Sequence, residues 1–518
     1  MTETQSPKPI RWKILSIWLL ILSAVELYFY LKYGGVFNPE QQDKTLQGFA
    51  LLVYIITAGI SILIWWVFIS GVPLKRKLQG VGVLVVACLL FRIDGFTGNT
   101  LPIIRFIWTP KAGSLTKEVQ SGQDSAKYSF EGYELTDTDW PDFRGVGRMG
   151  MVSGLNFQDQ WLTPNELWRI PIGAGWASFA AVRDLCWTME QVGEKEAISA
   201  FELKTGNKIW QKSYDAHFKE SFGGPGPRTN PVYQEGRIWA LGASGLLSCL
   251  DAVTGKEFWQ TNILKDADAE NIEWGMSATP LLYQDLIITL PGGANGKSLV
   301  AYDKMTGEVR WSGGNSIASY SSPQISTVDG VEQILVHNGV GISAHSTEDG
   351  SVLWDYPWTT ASKVNVAQPI VFDGNKVILS TGYTVGSISL EASLKEGKWS
   401  VKEKWKSRRL KAKFNASVYK GQYLYGLDEG ILTCINMEDG QRVWKGGRYG
   451  YGQMILVGDT ILILSDKGEV VFVKAIPDQH SEIGKFPVFN SKTWQHPIIA
   501  NGHLVVRNDR EAACFLLK

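Results

Sequence analysis

The chain has 518 residues, and its 51 Lys and Arg balance its 51 Asp and Glu, leaving no net charge. Without a basic excess there is no electrostatic footprint for nucleic acid, which excludes that function class. The cysteines include neither an adjacent pair nor a Cys-x-x-Cys, so no zinc knuckle, dithiol redox centre or haem attachment site is offered.

Apolar residues concentrate in the first hundred positions. Ile14–Leu31 and Phe49–Ser70 are long enough to cross a bilayer, and Val81–Phe91 is a shorter third run that Leu78–Ile93 could extend. The later runs and the lack of a small-residue cleavage site argue against a cleaved signal peptide. Lys8, Arg11 and Lys13 precede the first run, and Lys75, Arg76 and Lys77 separate the second from the third, so both clusters are expected on the cytoplasmic side. Three spans then put everything after Asp94 on the periplasmic side of a bacterial cytoplasmic membrane; two would leave it in the cytoplasm. Glu26, inside the first run, reads as a residue facing a neighbouring helix. The expected division is a membrane anchor over 1–94, a connector over 95–165 containing DWPDFRGVGRMG (139–150), and a repeat domain over 166–518.

The repeat is an apolar strand, a polar turn built on Gly, and a short strand ending in Trp. Its copies are AISAFELKTGNKIW (197–210), LSCLDAVTGKEFW (247–259), LVAYDKMTGEVRW (299–311), ISAHSTEDGSVLW (342–354), the degenerate ISLEASLKEGKWSVKEKW (388–405) and LTCINMEDGQRVW (432–444). A period of roughly 40–50 residues is that of a propeller. Turn residues divide each repeat into four strands, with first strands near Ala177, Asn230, Thr279, Ser322, Gln368, Asn415, Gln453 and His496, which makes eight blades. The last repeat stops after three strands, while Leu167–Ile170 stands alone ahead of the first; pairing the two closes the ring and removes open sheet edges. The fold class is therefore an all-β, eight-bladed β-propeller preceded by about three transmembrane helices. The recurrent Trp is expected to bury its ring between blades. Cys249, Cys434 and Cys514 fill the position held elsewhere by Ala200, Ala301 and Ala344 and read as small core residues. His345 replaces Tyr302 and Phe201 and reads as packing.

The AxDxxTGxxxW repeat resembles the quinoprotein-like (PQQ-binding-like) propellers, which include pyrroloquinoline quinone (PQQ)-dependent alcohol dehydrogenases and BamB-type outer-membrane assembly lipoproteins. The membrane-anchored layout looks like bacterial PQQ-binding-like β-propeller repeat proteins. The dehydrogenases generally carry an adjacent cysteine pair, some with a Cys-x-x-Cys-His, and the lipoproteins a lipidated cysteine; this chain has none of these.

In such a ring the starts of the innermost strands converge on the axis at one mouth. They bring Trp176, Arg228, Thr229, Trp274, Gln368, Lys411, Lys413, Asn415, Gln453 and His496, and the second-to-third-strand turns add Glu190 and Asp428. The resemblance implies PQQ with Ca²⁺ as cofactors. Cofactor contacts would then fall to Arg228, Thr229, Trp274, Gln368, Lys411, Asn415, Gln453 and His496. Glu190 with Asn415 would hold the cation, and Glu190 or Asp428 would be the general base. The run KSRRLKAK (406–413) suggests contact with an anionic lipid or polymer, or a solvated basic loop. Two functions follow: a membrane-anchored binding or scaffold module engaging a ligand or protein at its mouth, or a quinoprotein dehydrogenase oxidising an alcohol or sugar and feeding the membrane quinone pool.

Overall fold

A computed structural model describes residues 12–38, 40, 42–114, 116, 125–152 and 154–517. Lys8 and Arg11, used above to orient the first span, lie outside the described residues. The chain divides into two compact units, Met1–Lys111 with Ser221–Gly223, and Ala112–Glu220 with Gly224–Lys518.

In the first unit, α1 (Trp12–Tyr33) and α2 (Lys44–Ile64, continued by the π-helical Trp65–Ile69) are both long and apolar enough to cross a membrane. Asp43 caps α2 by accepting from the Thr45 and Leu46 amides at 2.9 and 3.1 Å. The two helices are tied by Trp18 donating to Ser61 (3.0 Å), by a Ser23–Tyr54 hydroxyl pair (2.8 Å) and by Trp12 against Trp65. Two helices thus meet the requirement for a span, and the expected third is not clearly one. The third helix, α3 (Leu74–Leu90), has 17 residues, about 25 Å at 1.5 Å per residue, short of the hydrocarbon thickness of about 30 Å. Lys75, Arg76 and Lys77 occupy its first turn, and Phe91–Phe96 turns into a hairpin strand paired with Pro102–Phe106.

The second unit is an eight-bladed antiparallel propeller among the described residues. Its blades span 180–214, 232–262, 281–313, 324–357, 370–407, 418–448 and 453–487, with the eighth made of 498–516 and Asn165–Pro171. The early strand forms the outer edge of blade 8, with Cys514 opposite Trp168, so the ring closes as the sequence implies.

One contact repeats around the ring. In five of the blades the indole of the outermost strand lies on the turn glycine of the next blade. A Cβ added to Gly206, Gly255, Gly307, Gly350 or Gly440 would come within 2.5–2.7 Å of Trp168, Trp210, Trp259, Trp311 or Trp405 respectively, and each of these glycines has positive φ. The indole N–H of Trp168, Trp210, Trp259, Trp405 and Trp444 donates to a backbone carbonyl of the following blade, at 2.8–3.1 Å. Cross-strand register explains the small residues, because Ala200, Cys249, Ala301, Ala344, Cys434 and Cys514 each lie opposite their blade's Trp. Blade 5 departs: its outer hairpin is extended to Gly386–Lys395 and Lys398–Ser407. Trp354 accordingly donates within its own blade to Gln333 (2.7 Å) and packs on Trp399.

The connector segment 139–150 does more than join. Its Trp140 exchanges backbone hydrogen bonds with Ala181 of blade 1, and the Pro141 carbonyl accepts from Tyr233 of blade 2. Arg148 donates to Thr279 and Pro280 before blade 3 and to Pro323 before blade 4, and is held by Asp142 at 2.9 Å. Arg144 donates to Ser417 before blade 6 and to Met454 of blade 7; Phe143 meets the ring of His496 before blade 8 edge-on at 5.1 Å. Met151–Val152 then pairs in parallel with the innermost strand of blade 7. The segment therefore bolts the inner strands together. Positive φ at Arg144, Gly145, Gly147, Arg148 and Gly150 permits its tight course.

Substituting Gly255→Ala adds a Cβ against Trp210 at positive φ and should cost about 2 kcal/mol or more; Trp210→Ala should cost about 3–5 kcal/mol. Denaturant unfolding of the detergent-solubilised chain measures both, and losses below about 0.5 kcal/mol would contradict the contact.

Candidate functional site

The starts of the innermost strands form a stitched belt. The Ser178 amide donates to Asn230 Oδ1 (2.8 Å), the Asn230 amide to Thr279 Oγ1 (3.1 Å), the Thr279 amide to Ser322 Oγ (2.9 Å) and the Ser322 amide to Gln368 Oε1 (2.8 Å). Further round, Asn415 Nδ2 donates to Gly452 (3.4 Å) and Gln453 Nε2 to Trp494 (3.1 Å), each in the next blade's lead-in. The structure thus places Gln368, Asn415 and Gln453 between blades, and Thr229, fully buried, donates to Leu241. His496 lies against Phe143 of the bolt. Burial and the Arg144 guanidinium hold its imidazole well below its usual pKa, hence neutral.

The charged candidates are brought into closed pairs. Glu190, fully buried, accepts from Lys208 Nζ (2.9 Å), Ser199 Oγ (2.5 Å) and the Gly173 amide (2.5 Å). Burial raises its pKa, but Lys208 and these hydrogen bonds outweigh burial and leave it below the ordinary value. Arg228 pairs with Glu220 at 2.9 Å and lies over the Phe218 ring. Lys411 meets Asp428 at 2.9 Å and Lys413 meets Glu429 at 2.9 Å, all four side chains buried. Trp274 is half-buried and packs on Tyr320, with ring centroids 5.2 Å apart.

A row of rings remains at the rim. Trp176, Trp494, Phe414 and Tyr451 follow one another at 4.8, 4.9 and 5.1 Å between centroids, with Lys492 over both indoles and Lys413 over Tyr451. The row was only partly legible, because Phe414 and Lys492 sit in lead-in segments with no repeat signature. Sequence reasoning also missed Glu196, a strand residue at the seam of blades 1 and 2 that accepts from the Ala243 amide at 3.2 Å. Burial pushes its carboxyl up to about 7, against the pull of that amide and of Arg228.

These donors do not fit PQQ with Ca²⁺. Arg228, Lys411 and Lys413, the expected partners of the quinone carboxylates, each already carry a carboxylate of this chain. Glu190 is saturated, and it lies on blade 1 whereas Asn415 leads into blade 6. Among the described residues no cluster of three or more His, Cys, Asp or Glu could hold a metal ion.

Fold and rim together define an eight-bladed, membrane-associated propeller. The family model described as outer membrane protein assembly factor BamB matches residues 194–446. A BamB of Yersinia pestis is 22% identical over 311 residues, covering 58% of this chain and 75% of that protein. A quinohemoprotein alcohol dehydrogenase of Comamonas testosteroni is 28% identical over 121 residues, 22% of this chain and 16% of that protein. The solved quinohemoprotein alcohol dehydrogenase ADHIIG of Pseudomonas putida HK5 superposes with a TM-score of 0.52 at 12% identity, over 77% of this chain and 83% of that one. The chain is a β-propeller related both to BamB-type propellers and to PQQ-dependent alcohol dehydrogenases. The expected siting at the cytoplasmic membrane is corrected by these comparisons, since the similarity is to an outer-membrane assembly factor and not to an inner-membrane protein.

The Glu196 carboxyl has a sign that can be measured. Its folded pKa lies above the ordinary 4.5, so its contribution to stability is full below about 4.5 and is lost as pH rises through about 7. Glu196→Gln should flatten the stability profile between pH 5 and 8 by up to about 3 kcal/mol, read from denaturant midpoints; an unchanged slope would contradict the assignment.

Proposed function

We propose that this chain is a membrane-associated binding module whose anchor (1–94) and connector (95–165) carry a propeller (166–518) that engages a protein partner through the aromatic rim. The observation that carries this reading is the contrast at the mouth. Every charged group available for cofactor or proton chemistry among Glu190, Asp428, Arg228, Lys411 and Lys413 is closed in an internal ion pair. Trp176, Trp494 and Phe414, by contrast, are only half-buried. Aromatic rings, Trp above all, are the groups enriched where proteins bind proteins. The relation to an outer membrane protein assembly factor supports a protein as the partner.

The dehydrogenase is the second reading, favoured by the 28% identity to a quinohemoprotein enzyme. It requires at least one of the three cations to exchange its carboxylate for the quinone's.

One pair of measurements separates the two. Titrating the solubilised chain with PQQ and Ca²⁺ at micromolar concentration should give no saturable tryptophan quenching and no dye-linked oxidation of alcohols or sugars. A photo-crosslinking residue at position 494 should capture a protein in cells, and one at the blade 5 hairpin tip, position 396, should not. Saturable quenching with dye reduction, abolished by Trp494→Ala, would overturn the binding module in favour of the enzyme.

A further inference from the structure

One seam of the ring has a composition of its own. Across the seams between blades, the small residue opposite an outer-strand Trp shares a core with one position on the second strand of the next blade. Ala200 thus lies with Ile238, Cys249 with Ile287, Ala301 with Ile334, Ala344 with Val377 and Cys434 with Ile461. By register, that second-strand position is Ile, Val or Leu in every blade from 2 to 8. Blade 1 is the exception. Its residue there is Cys186, opposite Phe201 as Ile238 is opposite Leu250. The small residue across that seam is also a cysteine, Cys514 of blade 8, opposite Trp168.

The two thiols are fully buried in one core, with Trp168, Phe201 and Leu203 around them. Burial raises both pKa values, that of Cys514 to about 12, and the Cys514 thiol raises that of Cys186 further. Cys249 and Cys434 fill the same small position as Cys514, but aliphatic side chains face them. Small size therefore accounts for those two cysteines and leaves Cys186 unexplained, since it stands where the other blades place a larger, branched residue. Two β-sheets packed face to face are close enough for a cystine to span, as the inter-sheet bridge of immunoglobulin domains does beside a Trp.

We infer that Cys186 and Cys514 form a disulfide that locks the ring at the seam of blades 8 and 1. The two thiols lose two protons and two electrons to a small disulfide oxidant such as glutathione disulfide. One thiolate attacks a sulfur of the oxidant and releases its partner as a thiolate; the second thiolate then displaces the other half from the mixed disulfide, so one S–S bond forms as one breaks. The exchange takes place before the seam is dry, because burial withdraws the thiolate that must attack. Once formed, the bond ties the two ends of the ring covalently where strand pairing with Asn165–Pro171 otherwise holds them. It closes a loop of nearly the whole propeller, and long loops restrict the unfolded chain most. The cross-link is remote in kind from the aromatic rim and does not depend on what the rim binds.

The detergent-solubilised full chain is held with glutathione disulfide just below its melting midpoint, where the seam opens transiently, then denatured, alkylated and digested for mass spectrometry. The expected product is a Cys186 peptide joined to a Cys514 peptide, separated by dithiothreitol, with Cys249 and Cys434 alkylated. Dithiothreitol should lower the melting midpoint of the oxidised chain by about 5 °C or more. It should not move the midpoint of Cys186→Val or Cys514→Ala, each of which installs the residue that another blade carries at that position and so keeps the fold. Alkylation or glutathione adducts at Cys186 and Cys514 with no cross-link between them would overturn the assignment. So would a cross-link of either to Cys249 or Cys434, or an equal dithiothreitol shift in both variants.

Discussion

An indole laid over a neighbouring blade's glycine is the contact on which the ring depends. It needs two things at one place, a turn that takes positive φ and a Cα bare enough for an aromatic ring to touch, and only glycine supplies both without strain. At four of the five contacts, as between Trp210 and Gly255, the indole N–H also reaches a carbonyl of the next blade, so one side chain supplies both burial and a hydrogen bond. The cross-strand neighbour of the Trp must then be small, which is why only Ala, Cys or Ser stands at that position in the blades that carry it.

Two further devices act nearer the axis. The belt of side chains from Asn230 to Gln453 links inner strands, and the bolt of residues 139–150 crosses between them, anchored by Arg144 and Arg148. Residues that vary from blade to blade are thus committed largely to holding blades together. That commitment bears on function. A side chain already bonded across a seam is a poor ligand for a cofactor, whereas the rings of Trp176, Trp494 and Phe414 are held in place by one another and still partly open to a partner.

Much of the ring could be read from the chain because its cause is local and periodic. The eight first strands, the closure of blade 8 by Asn165–Pro171 and the buried role of the Trp all follow from alternation, turn glycines and spacing. Even the degenerate fifth repeat has a physical meaning, since its longer hairpin takes Trp354 away from the usual carbonyl. The third apolar run was read too long, because Phe91–Phe96 alternates with Arg92 and Asp94 and pairs as a strand. At the axis the reading was of type and not of partner. Composition shows that Glu190, Lys411 and Asp428 approach the mouth, but it cannot show that Lys208 from a different strand closes on Glu190. The bolt was visible only as a Gly-rich stretch with two arginines, since its partners are backbone carbonyls scattered from Thr279 to Met454.

Residues 139–150 are part of the ring's interior. Native-state hydrogen exchange of the solubilised chain, read by mass spectrometry on peptides covering this segment, tests that most directly. The amides of Trp140 and Gly150, bonded to the Ala181 and Arg144 carbonyls, should exchange as slowly as those of the inner strand Gln453–Val457. Exchange of the segment at the rate of an exposed loop, while the inner strands stay protected, would contradict it.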